Sequence, residues 1–213
     1  MPGSGVEAMY VGLGTAISPS AGLMDKVVLT PTLNPWGAGN ADGVYVITTS
    51  QDLMIKRTRI NGTLVVVAPG RTVTIDQGVL IQPARSDYPA LIVDGNLVLQ
   101  SDSTAGLSES SAGVNFNPAG APYQGATDSD MTDTYPCEIG GLVHVKGTVT
   151  LDQNSLVRGM IICESGALAD AVYVRGNASV VYTASLATSP PMGYTKSVTM
   201  AVEAGSYKQV VLP

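Results

Sequence analysis

The sequence predicts an all-β chain wound as a single-stranded, right-handed parallel β-helix. Three observations carry this. Four stretches share one pattern: residues 60–67 (INGTLVVV), 93–100 (VDGNLVLQ), 145–152 (VKGTVTLD) and 174–181 (VRGNASVV). Each reads apolar, polar, Gly, Thr or Asn, then apolar or Ala, and a glycine inside a strand pattern marks a bend or a close backbone approach. Further short strand patterns lie between them: VYVI at 44–47, LMI at 53–55, TVTI at 72–75, VLI at 79–81 and MIIC at 160–163. No stretch sustains a helical period.

Side chains alternate across a strand. The four copies therefore predict one inward set: Ile60, Gly62, Leu64 and Val66; Val93, Gly95, Leu97 and Leu99; Val145, Gly147, Val149 and Leu151; Val174, Gly176, Ala178 and Val180. The glycines lie 33, 52 and 29 residues apart. A stacked repeat of roughly 20–25 residues fits if loops take up the excess. The excess in the first gap falls on QPARSDYPA at 82–90, and the larger one on a turn-rich stretch near 101–140. A β-sandwich is the alternative source of many short strands.

Three parts follow. Residues 1–43 are an N-terminal cap or linker, rich in turns and holding the only tryptophan, Trp36. Such a cap would cover the open end of a repeat stack. Residues 44–188 are the β-helix, with its inserted loop at about 101–140. Residues 189–213 are a C-terminal strand or second cap.

Composition narrows the function classes. Charged residues make up 13% of the 213, about half the usual share. A surface of Thr, Ser and Asn suits a β protein outside the cytosol. The net charge is −6, without a basic run, which argues against nucleic acid as a partner. No apolar run reaches the length of a membrane span. The opening MPGSGVEAMY has neither a basic nor an apolar signal region: either the protein is cytoplasmic, or a native signal or anchor precedes this opening, which resembles a linker more than a native start. Cys137 and Cys163 make no disulfide framework; two reduced thiols are the simpler reading, one bridge the alternative.

The inserted loop holds the candidate chemistry. Asp128, Asp130 and Asp133 form D-x-D-x-x-D, a candidate calcium set, since hard cations want several carboxylate and carbonyl oxygens on a loop. The spacing begins like an EF-hand and then departs: position five is Thr132, six is Asp133 rather than Gly, and twelve is Ile139. The competing reading is a polar loop whose aspartates cap turns. Phe116, Tyr123 and Tyr135 bracket the aspartates and are candidate carbohydrate-binding aromatics; they equally suit pinning the loop to the core.

No catalytic residue is assigned, and the chain reads as a non-enzyme. His144, the only histidine, points away from the inward set and has no partner apparent in sequence, so it is a poor general base. No G-x-S-x-G elbow is present. Lys56, Arg57 and Arg59, with Asp152, have the residue types of a β-helix polysaccharide lyase, but a charged outer strand face is the simpler account.

The stretches 88–97 (YPALIVDGNL), 107–109 (LSE), 115–125 (NFNPAGAPYQG), 128–136 (D-x-D-x-x-D-x-YP), 139–147 (IGGLVHVKG) and 189–194 (SPPMGY) resemble a pattern of uncharacterised proteins abundant in planctomycete-type bacteria. The resemblance spans about residues 44–194. It implies an exported, pilus-associated or envelope-anchored protein whose N-terminal helix precedes a β-helical domain, and it implies no reaction. The glycine-marked repeats also resemble, at the level of fold, the bactofilins, cytoskeletal β-helices that polymerise end to end. The expected role is therefore structural or surface display. A carbohydrate-binding or lyase-like β-helix and a self-assembling filament subunit are the alternatives. Envelope proteins or further copies of the chain are the expected partners.

Overall fold

A computed structural model of the chain describes residues 5–165 and 171–194. The strands are β1 (Thr15–Ala16), β2 (Leu23–Asp25), β3 (Val28–Leu29), β4 (Val44–Thr48), β5 (Leu53–Asn61), β6 (Thr63–Gln82), β7 (Leu91–Gln100), β8 (Leu107–Ser108), β9 (Thr134–Tyr135), β10 (Glu138–Val145), β11 (Val149–Leu151), β12 (Leu156–Cys163), β13 (Val172–Val174) and β14 (Ser179–Tyr182). Among the described residues, three short helices accompany them: α1 (Val6–Leu13), α2 (Glu109–Ala112) and α3 (Ser185–Thr188). Among the described residues, twelve strands form one sheet in which every pairing is parallel, and β8 and β9 form a separate antiparallel pair. An antiparallel sandwich does not produce these registers.

The registers align three apolar columns. One runs Met24, Ile55, Ile75, Leu99, Leu151, Val174. A second runs Tyr45, Leu64, Leu91, Val143, Ile161. The third runs Leu29, Ile60, Ile81, Ile139, Val157, Val180. Most of these side chains meet in one core cluster, against which Trp36 and Ala178 pack. The inward parity read from the repeat holds along 60–66, 93–99 and 145–151. It fails as burial at the last copy: Val174 and Val180 keep register but are exposed, because among the described residues β13 and β14 each pair on one side only.

The four glycine copies do not form one column. Gly95 and Gly147 stack directly, with the Gly147 amide donating to the Gly95 carbonyl at 2.9 Å. Gly62 instead packs on Gly43, and Gly176 on Gln153. The motif thus marks three different bends. An apolar residue, a polar one, then glycine is local chemistry for turning a strand, and it recurs wherever the chain turns tightly.

One bend is built without glycine in most strands. Lys26, Arg57, Gln77 and Gln153 all have left-handed φ, between 45° and 59°, and Gly176 follows at 59°. Each such non-glycine residue costs about 1–2 kcal/mol locally, so the ladder on either side must hold it. Between Gln77 and Gln153 the chain does not turn there. It leaves the sheet after Gln100 and returns at Glu138, and residues 101–137 form the insertion.

The outer faces differ from one another. Val46, Val65, Ile92 and His144 form an outward column covered by α1 and by residues near 192–194: Tyr10 donates its hydroxyl to the Met192 carbonyl at 2.9 Å, and Val6 and Tyr10 join Tyr88 and Ile92 in a second cluster. Val28, Arg59 and Leu80 form another outward column, covered by the insertion. The third, with Leu23, Met54, Thr74, Val98 and Thr150, is open.

Of residues 1–43, expected as a cap, those described contribute α1 to a side face and β1 to β3 as parallel strands on β4 and β5. The expected C-terminal strand or cap lies, beyond residue 194, outside the described residues. Cys137 and Cys163 are both free thiols, so the bridge is excluded; burial pushes the Cys137 thiol pKa up.

Candidate functional site

The insertion is an ordered flap built on its own small core. Leu107, Ala112, Phe116, Ala121 and Tyr135 pack with Val28 and Leu80 of the sheet. Its neck is the β8–β9 pair, with Leu107 opposite Tyr135. LSESSAG then makes one short helix. Ser108 caps it by accepting from the Ser111 amide, and Gly113 ends it at φ 67°. That helix sets Glu109 inward.

Glu109 is 0% exposed, yet its carboxylate is hydrogen-bonded on both oxygens. The Phe116 amide and the Tyr135 hydroxyl (2.9 Å) donate to Oε1, and the Asp133 amide donates to Oε2 at 3.1 Å. These bonds are what make a buried carboxylate tolerable. They also tie three separated parts of the flap to one side chain.

Asp128 and Asp133 converge on the same place through Asn117. The Asn117 amide nitrogen donates to Asp128 Oδ2 at 3.0 Å and to Asp133 Oδ2 at 3.4 Å, and Asn115 donates to Asp128 Oδ1 at 3.1 Å. Asp130 accepts from the Thr132 amide (2.9 Å) and hydroxyl (2.6 Å), an Asx turn that lowers its pKa. Asp133 is pushed upward: burial is the main cause, the Tyr135 hydroxyl opposes it, and the negative Asp128 and Glu109 add to it. Glu109, Asp128 and Asp130 each offer an oxygen within 4.8 Å of the others. Of the three aspartates expected to act together, then, Asp128 and Asp130 share that grouping with Glu109, and Asp133 sits beside it.

The candidate aromatics are packed rather than displayed. Phe116 and Tyr135 are buried, Tyr123 is half-buried, and the rings meet edge to face, at 6.2 Å for Phe116–Tyr135 and 4.9 Å for Tyr123–Tyr135. Arg59 lies over Tyr123 at 5.4 Å from its centroid and donates to the carbonyls of Phe116, Ala121 and Pro122. The outward parity expected of Arg59 is right, but its solvent exposure is not: it is 2% exposed under the flap.

The residues cast for lyase chemistry are engaged separately. Arg57 holds Asp25 through two nitrogens, and Asp152 accepts from the Gln153 amide at the bend. A cleft of about 330 Å³ opens between Arg57, Gln77, Asp102 and the flap residues Leu107 and Ser111.

His144 also departs from the sequence reading. It faces away from the main core, as expected, but it is 2% exposed and has two partners. Nε2 lies 2.9 Å from Glu164 Oε1 and Nδ1 lies 2.9 Å from the Tyr194 hydroxyl. The Lys146 ammonium, beside it, pairs with Glu7 and Asp94. These contacts fasten α1 and the 192–194 segment to the sheet.

Sequence reasoning missed Glu109, Asn117, Glu164 and Tyr194, and it read Arg59 as an outer-face charge rather than as an anchor of the flap. Two had a local signal. The Ser–Glu start of LSESSAG marks a helix whose first turn holds a carboxylate, and Asn115 and Asn117 flank the buried Phe116. The others had none, because their partners lie far away in sequence. Compared with known proteins, the chain matches no family model, no curated protein and no solved structure.

Proposed function

We propose that the parallel sheet winds as a right-handed β-helix, and that the chain serves as a non-enzymatic structural or surface-display module of an exported, pilus-associated assembly. The observation that carries this is the set of three apolar columns, each continued strand after strand in parallel register. Stacked columns of this kind give a rigid body whose stability comes from neighbouring strands. Its polar and charged side chains support the same reading. Arg59 fastens the flap to the sheet, Glu109 ties the parts of the flap to one another, and His144 holds the 192–194 segment.

Two measurements test it. In cells that make the protein, protease added outside intact cells should cleave it or release it; full protection together with recovery in the cytosolic fraction overturns export. An X-ray structure in which the registers close as a flat sheet or a barrel overturns the solenoid. Sedimentation decides the filament alternative, which requires concentration-dependent growth.

A further inference from the structure

We propose that the bare end of the strand stack is a docking edge for the chain's own tail, with residues 197–202 pairing on β12 and residues 208–212 on β13. This rests on the solenoid reading above.

The two ends of the stack differ. At the N-terminal end the inward Met24 and Leu29 are fully buried, the N-terminal segment adds Trp36 to the core, and the outermost strand carries Asp25 with Lys26 beside it. At the other end the inward Val174 and Val180 are 59% and 44% exposed. Ile161 and Cys163 are only half-buried. Among the described residues, β13 and β14 pair on one side only, and the far edge of Met160–Cys163 meets no strand. Sheet edges that avoid pairing carry charges, prolines or bulges. Residues 171–182 (AVYVRGNASVVY) hold one charge, Arg175, and no proline.

Chain order says which strand comes next. Successive strands visit the third, second and first columns in turn: Ile81, Leu91, Leu99; Ile139, Val143, Leu151; Val157, Ile161, Val174. Val180 opens a further round in the third column, so a second-column strand is due, stacked on Ile161. The chain is delivered there. After α3, the Met192 amide donates to the Asp87 carbonyl at 2.8 Å, in the loop that makes the same passage between Gln82 and Leu91. Tyr194 then packs on His144 and lines one groove with Leu142, Met160 and Ile162, beside the free edge of β12.

The tail sequence fits both edges. In SVTMAV at 197–202, Val198, Met200 and Val202 alternate with Thr199 and Ala201, a strand period. EAGS at 203–206 supplies a glycine turn at the corner that Gly95 and Gly147 mark in earlier rounds. KQVVL at 208–212 is a second short apolar run. Only Thr195 and Lys196 separate Tyr194 from the first run. So short a tether presents the tail at an effective concentration on the order of millimolar, ahead of a second copy of the chain. Docking would bury Ile161, Cys163 and Val174 and leave the third column, at Val180, as the rim.

The test uses the full chain and its own Cys163. Neighbouring strands stand about 4.8 Å apart, inside the Cα separation of about 4.4–6.8 Å that a disulfide spans. Val198→Cys, Met200→Cys and Val202→Cys are made singly, with Thr199→Cys and Ala201→Cys as the opposite parity. Under mild oxidation, one of the first three should link to Cys163 within a monomer at least tenfold faster than either of the other two, the bridge being located by peptide mass spectrometry. In the parent chain, amide hydrogens of 198–202 should exchange at least a hundredfold slower than in an unstructured peptide. Equal linking by both parities, absence of any link, or unprotected amides overturn the proposal. Links between two chains also overturn it and assign the edge to a second copy. Val145→Cys keeps this apart from the solenoid reading, because Val145 is the register partner of Cys163 on β10 and its link forms whether or not the tail docks. Loss of that link as well would count against the stacked strands themselves, and the X-ray structure decides their winding independently.

Discussion

Arg59 Nη1 donates to the carbonyl of Ala121 at 2.8 Å, across 62 residues of sequence. The same guanidinium reaches the Phe116 and Pro122 carbonyls, so one strand residue holds the base of the flap. Burial lowers its pKa, but a guanidinium stays charged over all ordinary pH. Its charge is tolerated because those oxygens solvate it. Arg59→Met should therefore destabilise the chain by about 3 kcal/mol, leaving carbonyls without a donor at about 1–3 kcal/mol each. Urea melts measure the loss. Limited proteolysis should show new cuts within 117–133, and an uncut flap in the variant would refute the anchoring role.

Gly147→Ala tests the stacked bend. A Cβ there falls inside van der Waals contact of the Gly95 carbonyl oxygen and Asn96 Oδ1. The backbone of one strand, not a flexible side chain, must give way. A loss of about 1–3 kcal/mol is expected, the range for overpacking. Gly120→Ala is not a neutral control despite its open surroundings, because Gly120 has φ 89°. Gly12→Ala is the proper control: it has open space and lies in a helix, where alanine is favoured.

The Asp25–Arg57 pair predicts a pH dependence. Arg57 Nε donates to Asp25 Oδ1 at 2.8 Å, and this hydrogen bond is the main reason that the Asp25 pKa falls below its ordinary value of 3.8. A carboxyl with a depressed folded pKa contributes stability above its unfolded pKa. That contribution disappears as pH falls through the depressed value. Asp25→Asn should cost up to about 1 kcal/mol at neutral pH, given that the pair is partly exposed. The gap between variant and parent should close as pH falls below the ordinary carboxyl value of 3.8 and on through the depressed one. A gap independent of pH would mean that the effect is packing.

Tyr194→Phe probes the tie beneath α1. Its hydroxyl lies 2.9 Å from His144 Nδ1, and both rings are packed edge to face at 5.5 Å. Removing the hydroxyl keeps the ring packing and leaves a buried imidazole nitrogen unpaired, so about 1–2 kcal/mol should be lost in thermal melts. No change in stability would show that the contact holds nothing.

How much of this was readable beforehand depends on how far each feature reaches along the chain. The inward parity at 60–66, 93–99 and 145–151 was legible because alternation is a property of neighbouring residues. The burial of the outward column Val46, Val65, Ile92 was also written in the sequence, as the unbroken apolar runs VYVI, LVVV and ALIV, which mark strands covered on both faces. What covers them was not. Which glycines share a bend was misread for the same reason: the motif is local, but its stacking partner is set by the lengths of the intervening loops.

The candidate site divides in the same way. The sequence alone determined an all-β chain with a stiff, aspartate-rich insertion between two strands that resume the same register, and it named Asp128, Asp130, Asp133 and the aromatics around them. Only the tertiary structure decided that Glu109 is buried among them, that Asn117 is left with an orphan oxygen, and that Arg59 lies beneath the flap rather than in water. Residue types and periodicities are local and survive in one dimension. Burial and counter-charge belong to pairs such as Arg59 and Ala121, which meet only when the insertion folds back over the sheet.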